Sequence, residues 1–177
     1  MSSPEPAAEP GAAADAGPLT GRRAVVVTCS TRAAAGVYPD RGGLLLVEAL
    51  RSWGAAVPDA VVVPDGPAVA EALATALATH PDLVLTTGGT GLTPTDGTPE
   101  ATRPLLTREV PGLAEALRAR GVAHGIPTAV LSRGLAGLAG RTLVVNLPGS
   151  SGGVRDALEV LAEVLPHALS QAEGGDH

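Results

Sequence analysis

The run TTGGTGLTPTDGTPEAT, residues 86–102, sets backbone amides with no side chain to shield them beside a single aspartate. Gly88, Gly89 and Gly91, with Thr87 and Thr90, follow an apolar segment and precede a helical one. In that position successive N–H groups form an anion nest. Glycine lets backbone approach a phosphate closely, and threonine hydroxyls add donors. The plainer alternative is a tight strand-to-helix turn with no ligand. Asp96 lies in the same loop. Beside bound phosphates its carboxylate makes sense as a ligand for Mg²⁺; without them it is a turn aspartate bonded to its own backbone. Asp65, in VVVPDG, leaves a second strand end on the same sheet edge and forms with Asp96 a candidate acidic pair, against the alternative of a Pro-Asp-Gly turn. Glu100, one turn into the following helix, is either a further site residue or a favourable charge at a helix N-terminus.

A second glycine-serine loop competes for attention. GSSGG satisfies the nucleophile-elbow pattern through Gly149, Ser151 and Gly153. A triad would then draw on Asp156 and His167, but His167 lies ~24 Å from Ser151 along the same helix at 1.5 Å per residue, so it cannot be the base. Gly149, Ser150 and Ser151 read instead as a second anion site at a helix N-terminus, or as a plain cap. His80 and His124 lack metal-ligand spacing and read as loop residues.

Composition narrows the chemistry. All twelve basic residues are arginine. Without lysine there is no P-loop and no Schiff base. The dinucleotide fingerprint fails, since Pro94 stands where glycine is required. A net charge of −6 argues against sequence-independent nucleic-acid binding. No apolar run reaches membrane-spanning length, and the single Cys29 rules out a disulfide framework, which together suggest a reducing cytoplasm.

The elements that must position these loops follow from periodicity. Residues 22–28 and 55–64 and 81–87 read as buried strands, alternating with helices over 42–54 and 67–80. Thr98 is placed as an N-cap with Pro99 opening a helix over 99–109 that Pro104 shortens, and a further helix restarts over 111–121. Two apolar segments flanking Gly140-Arg141 pair as an antiparallel hairpin before an amphipathic helix closes the chain. The expectation is a single three-layer α/β domain over 19–170, with a mostly parallel sheet, helices on both faces and one antiparallel hairpin strand. Residues 1–18 read as a disordered tail and 171–177 as a flexible C-terminus.

Taken together, VVTCSTRAAAGVYPDRGG, VVVPDG, DLVLTTGGTGLTPTDGTPEAT, PTAVLSR and LVVNLPGS resemble the molybdopterin adenylyltransferase family, the MogA/MoaB-type proteins of molybdenum cofactor synthesis, over about residues 22–168. The resemblance implies ATP- and Mg²⁺-dependent transfer of AMP to the phosphate of molybdopterin, releasing pyrophosphate. It implies Asp65 and Asp96 as the acidic pair, Gly88 to Gly91 as the phosphate loop, Ser30 in the first loop, and Ser132 with Pro148, Gly149 and Ser150 facing the pterin phosphate. It also implies homotrimers or dimers of trimers, and hand-over to a molybdenum insertase. The alternatives are a catalytically weak molybdopterin carrier and, more remotely, a related nucleotide pyrophosphatase. Two positions depart from the commoner family pattern: Thr31 stands where an aspartate is usual, and Thr95 where an arginine often precedes the loop aspartate. Arg32, Arg103 and Arg133 are the candidates to compensate for the second.

Overall fold

The computed structural model describes residues 16–175. Six strands form one sheet in the order β2-β1-β3-β6-β5-β4. β1 (Ala24–Cys29), β2 (Val61–Val63), β3 (Leu83–Thr87) and β6 (Thr142–Leu147) are parallel neighbours, while β5 (Ala136–Ala139) runs antiparallel to both β6 and β4 (Arg108–Glu109). The hairpin expected around Gly140 is β5–β6, with Ala139 paired to Thr142.

Alternation along the strands divides the core in two, because successive side chains point to opposite faces. After the one-turn α1 (Thr31–Ala34), helices α2 (Arg41–Ser52), α5 (Pro111–Ala123) and α6 (Ser151–Ala172) pack with Val26, Leu85 and Val145. Val27, Val84 and Val144 pack with Val69, Leu73 and Ala76 of α3 (Pro67–Ala78). Both clusters consist almost wholly of Leu, Val and Ala, as a chain without Phe requires. The three-layer α/β expectation holds.

Three local expectations do not. The strand read over 55–64 shrinks to Val61–Val63 plus a bridge at Ala56, since Pro58 supplies no N–H to a ladder. The helix read over 99–109 breaks into α4 (Thr98–Thr102), a 3₁₀ turn at Arg103–Leu105 and the two-residue β4. Its N-cap is Gly97, so Thr98 is the first helical residue and caps nothing with its side chain. The tail read over 1–18 falls outside the described residues but for its last three. α6 extends to Ala172, and Glu173 pairs with Arg22. No described helix is long and apolar enough to cross a membrane.

The candidate site at two abutting glycine loops

The parallel strands end their chain direction at one edge, and there β3 and β6 release two neighbouring loops. Gly88 and Gly89 take positive φ values of 96° and 64°, a conformation that side chains resist. The Gly88 N–H is not free for an anion: it donates to the Leu147 carbonyl at 3.1 Å. The amides of Gly89, Thr90 and Gly91 have no protein acceptor among the described residues, so they form the open part of the nest. Across from them Gly149 comes so close that a Cβ there would lie 3.2 Å from the Gly88 Cα. Behind the loops the Thr87 hydroxyl donates to the Pro148 carbonyl at 2.8 Å, tying one loop to the other. Thr87 is therefore a buried strut rather than a ligand donor.

Two cavities open on either side of this septum and share Gly89, Asp96 and Gly149. The first, about 690 Å³, runs from Thr90, Gly91, Ser132, Pro148 and Ser150 along α5 and α6. Its far wall is largely apolar, with Ala114, Leu117, Ile126 and Leu131. The second, about 570 Å³, is polar and holds Ser30, Thr31, Arg32, Arg41, Asp65, Gly88 and Asp96. Every sequence-derived site residue lines one cavity or the other except Glu100. That side chain turns away to pair with Arg133, whose hydrogen bond pulls its carboxyl below the usual carboxylate range.

Each aspartate is held by a threonine. Thr31 donates its backbone N–H (2.9 Å) and its hydroxyl (2.8 Å) to Oδ2 of Asp65, and its own Oγ1 accepts the Asp65 N–H at 3.1 Å. Thr93 does the same for Asp96, with N–H and hydroxyl reaching Oδ2 at 2.9 and 2.7 Å. In each case the threonine's donors engage one oxygen and leave the other without a protein donor among the described residues. Two hard oxygen donors of this kind, next to a nest for phosphates, suit Mg²⁺, which is bound through one or two carboxylates plus substrate phosphate oxygens. The residues present therefore fit the ion.

Of the three arginines considered beside Thr95, Arg133 is the one that reaches the Asp96 loop. Its Nε reaches the Gly91 carbonyl at 2.8 Å and its Nη2 the Asp96 carbonyl at 2.7 Å, while its backbone N–H donates to Thr90 at 2.9 Å. One guanidinium thus staples both ends of the loop carrying Asp96. Of the other two candidates, Arg103 pairs outward with Glu109, and Arg32 lies 5.2 Å from the Tyr38 ring centroid in the polar cavity. Neither Arg32 nor Arg41 has a carboxylate partner among the described residues, which leaves two cations for a bound anion.

The serines cap helices while facing the cavities. Ser30 Oγ accepts from Ala33 N at 3.2 Å and contacts the Tyr38 hydroxyl at 2.8 Å. Ser150 Oγ accepts from Gly153 N at 3.1 Å at the start of α6. Ser151 lies next to it on the helix and Asp156 bonds His124 rather than His167, so no triad assembles.

Three further residues border the cavities without a site role in the sequence reading. Arg118 lines the apolar cavity, with Nη1 on the Ser132 and Gly134 carbonyls at 3.3 and 3.2 Å and no carboxylate partner among the described residues. His124, read as a bland loop residue, caps α5 and places Nδ1 2.7 Å from Asp156 Oδ1, with both groups on the cavity wall. No short-range spacing signals either contact. Cys29 borders the polar cavity but is inert: burial pushes its thiol up to about 11, the Asp65 charge adds to the effect and the Thr98 hydroxyl opposes it.

Comparison with known proteins shows the family and the fold. A family model described as "Probable molybdopterin binding domain" matches residues 25–167. The chain is 37% identical over 144 residues to the molybdopterin adenylyltransferase of Escherichia coli (strain K12), covering 76% of this chain and 70% of that one. It is 41% identical over 165 residues to a molybdenum cofactor biosynthesis bifunctional protein of Synechococcus elongatus, covering 93% of this chain and 51% of the relative. The chain thus spans about half the length of the bifunctional relatives it matches. The molybdopterin biosynthesis Mog protein from Mycobacterium ulcerans has the same fold, with a TM-score of 0.82 at 51% identity, covering 86% of this chain and 99% of that chain.

Proposed function

We propose a function from one premise: the chain belongs to the molybdopterin-binding family of molybdenum cofactor biosynthesis that includes MogA and MoaB. The reading is molybdopterin adenylyltransferase. An oxygen of the molybdopterin phosphate attacks the α-phosphorus of ATP, the bond from that phosphorus to the β-bridging oxygen breaks, and pyrophosphate leaves with adenylated molybdopterin as the other product.

The observation that carries the reading is the pair of cavities meeting at Gly89, Asp96 and Gly149. A transfer between two phosphorylated substrates needs two binding spaces with one shared boundary of anion-binding groups. The polar cavity, with Arg32 and Arg41, suits the polyphosphate of ATP. The larger and more apolar cavity, with Ser132 and the α6 N-terminus at its mouth, suits a fused heterocycle carrying one phosphate. The attacking group belongs to the substrate, so no protein nucleophile is required, in keeping with an inert Cys29 and the absence of lysine.

The chain's own contribution is positioning and charge. Free amides of Gly89, Thr90 and Gly91 point donors at the septum where charge develops on the α-phosphoryl group. Asp65 and Asp96 would hold Mg²⁺, which when bound neutralises phosphate charge as a Lewis acid. Thr31, Thr93 and Arg133 keep these acids from drifting. Assembly into trimers and hand-over of product to an insertase belong to the same proposal; the bifunctional relatives, about half of whose length lies outside the match, support a coupled second activity.

The test is incubation with molybdopterin, ATP and Mg²⁺, following pyrophosphate and adenylated product, in the native chain and in Asp65→Asn and Asp96→Asn. Product that disappears in both variants supports the transferase. Tight molybdopterin binding with neither product in the native chain would favour the carrier.

A further inference from the structure

Asp156 and His124 come from different helices and meet on the wall of the larger cavity, away from the glycine septum and outside the machinery of the transfer described above. We propose that Asp156, held in place by His124, reads the aminopyrimidinone edge of the pterin; the inference rests on the molybdopterin reading of that cavity. His124 is a positioning residue and Asp156 the contact.

The geometry fits in three respects. First, Asp156 follows Ser150 by six residues on the same helix, ~9 Å along its axis. A phosphate at the α6 N-terminus therefore leaves Asp156 within reach of a ring system attached through a short linker. Second, the side chain of Asp156 is 18% exposed and lines the cavity, and its Oδ1 is engaged at 2.7 Å by the His124 Nδ1. Nδ1–H donation leaves Oδ2 and one lone pair of Oδ1 to accept two further N–H bonds. A 2-amino-pyrimidin-4-one offers two such donors side by side, the exocyclic amine and the adjacent ring N–H. Third, the alternative heterocycle of the reaction fits badly. Adenine pairs its N6 amine with the acceptor N1, which would face a carboxylate lone pair to lone pair. Asp156 thus sorts the two substrates into their two cavities.

A metal centre is the competing use of these groups, since His124, Asp156 and Glu159 present ligand atoms within 4.8 Å of one another. Arg120 already bonds Glu159 at 2.8 Å, and the His124–Asp156 separation is that of a hydrogen bond. A cation would have to displace both, so the pair is better suited to donating and accepting protons in hydrogen bonds.

The sign of a charge change separates this role from general electrostatics. Molybdopterin carries a phosphate, so deleting a nearby negative charge should tighten its binding if Asp156 acts only through its field. Specific N–H acceptance predicts the reverse. Equilibrium binding of molybdopterin is therefore compared in the native chain, Asp156→Asn and His124→Gln, with ATP binding and thermal unfolding followed alongside. The expected result is a loss of about ten- to a hundredfold for Asp156→Asn, the range for hydrogen bonds to a charged group, and a loss of a few-fold for His124→Gln, with ATP affinity unchanged. A second measurement needs no variant: 6-hydroxymethylpterin phosphate should compete with molybdopterin at least about tenfold better than the matching lumazine, whose 2-oxo group cannot donate. Unchanged or tighter binding to Asp156→Asn, or equal competition by pterin and lumazine, would overturn the proposal and leave the transferase reading standing. A native chain that binds ATP but no molybdopterin would remove both.

Discussion

Thr31 and Asp65, thirty-four residues apart, form a closed exchange in which the threonine gives two hydrogen bonds to Oδ2 of the aspartate and takes one back from its amide. Thr31 thereby fixes the orientation of the Asp65 carboxylate at the end of β2. A carboxylate there would add repulsion beside Asp65; a hydroxyl adds a donor. Thr31→Val keeps the shape and the backbone bond but deletes the hydroxyl. Turnover should fall about three- to tenfold while stability falls by ~1 kcal/mol, the usual worth of one hydrogen bond. Steady-state pyrophosphate release and urea unfolding read the two effects separately.

Gly89 and Gly91 make a matched pair of tests within one loop. At Gly89, φ is 64° and an added Cβ would run into the Thr98 hydroxyl, so Gly89→Ala should cost ~1–3 kcal/mol through backbone strain and crowding. Gly91 has no positive φ, but its Cβ would lie 2.8 Å from Asp96 Oδ2. Gly91→Ala should therefore displace the carboxylate and lower turnover well over tenfold, with a stability loss under ~1 kcal/mol. Denaturation should separate the two variants, with Gly89→Ala the less stable, while Gly91→Ala loses turnover at near-native stability.

Arg133 is best tested by its closest substitute. Lysine keeps the charge but loses the fork that serves the Gly91 and Asp96 carbonyls together. Arg133→Lys should lower kcat by about tenfold, with hydrogen exchange rising over residues 91–96. Glu100→Gln removes only the exposed end of the same staple, and exposed ion pairs contribute little. Its kcat should stay within about twofold of native.

Cys29 predicts the alkaline limb of stability. Burial pushes its thiol from the usual 9.0 up to about 11, so the folded state retains the proton over that interval. The contribution is fully present below about pH 9 and is lost as pH rises through 11; a difference of this size corresponds to about 3 kcal/mol. Cys29→Ala should flatten stability against pH across that window. The native thiol should also resist alkylation at pH 8 until denaturant is added.

Much of this architecture is legible before any coordinates. The β-α-β-α-β order follows from short β-branched runs alternating with helical periodicity, and it alone puts the Asp65 and glycine loops on one sheet edge. What escaped was set by contacts distant in sequence. Residues 103–109 combine leucines and charges that suit a helix, yet Glu109 pairs with Gly137 and Thr107 donates to Leu138, so tertiary pairing wins over local preference. Glu100 read as a site acid because helix position says nothing of Arg133, thirty-three residues on. Arg118 and His124 reach partners fourteen and thirty-two residues away, and no local pattern encodes either contact.

Delivery of AMP from one cavity to a phosphate held in the other is followed by isotopic label. Single-turnover reactions with molybdopterin and Mg²⁺ are run in parallel with ATP carrying ³²P at the α- or the γ-position, and the pterin product is isolated. The α label should appear in the pterin product and the γ label wholly in pyrophosphate. A γ label on the pterin, or α label appearing only as free AMP, would contradict that delivery.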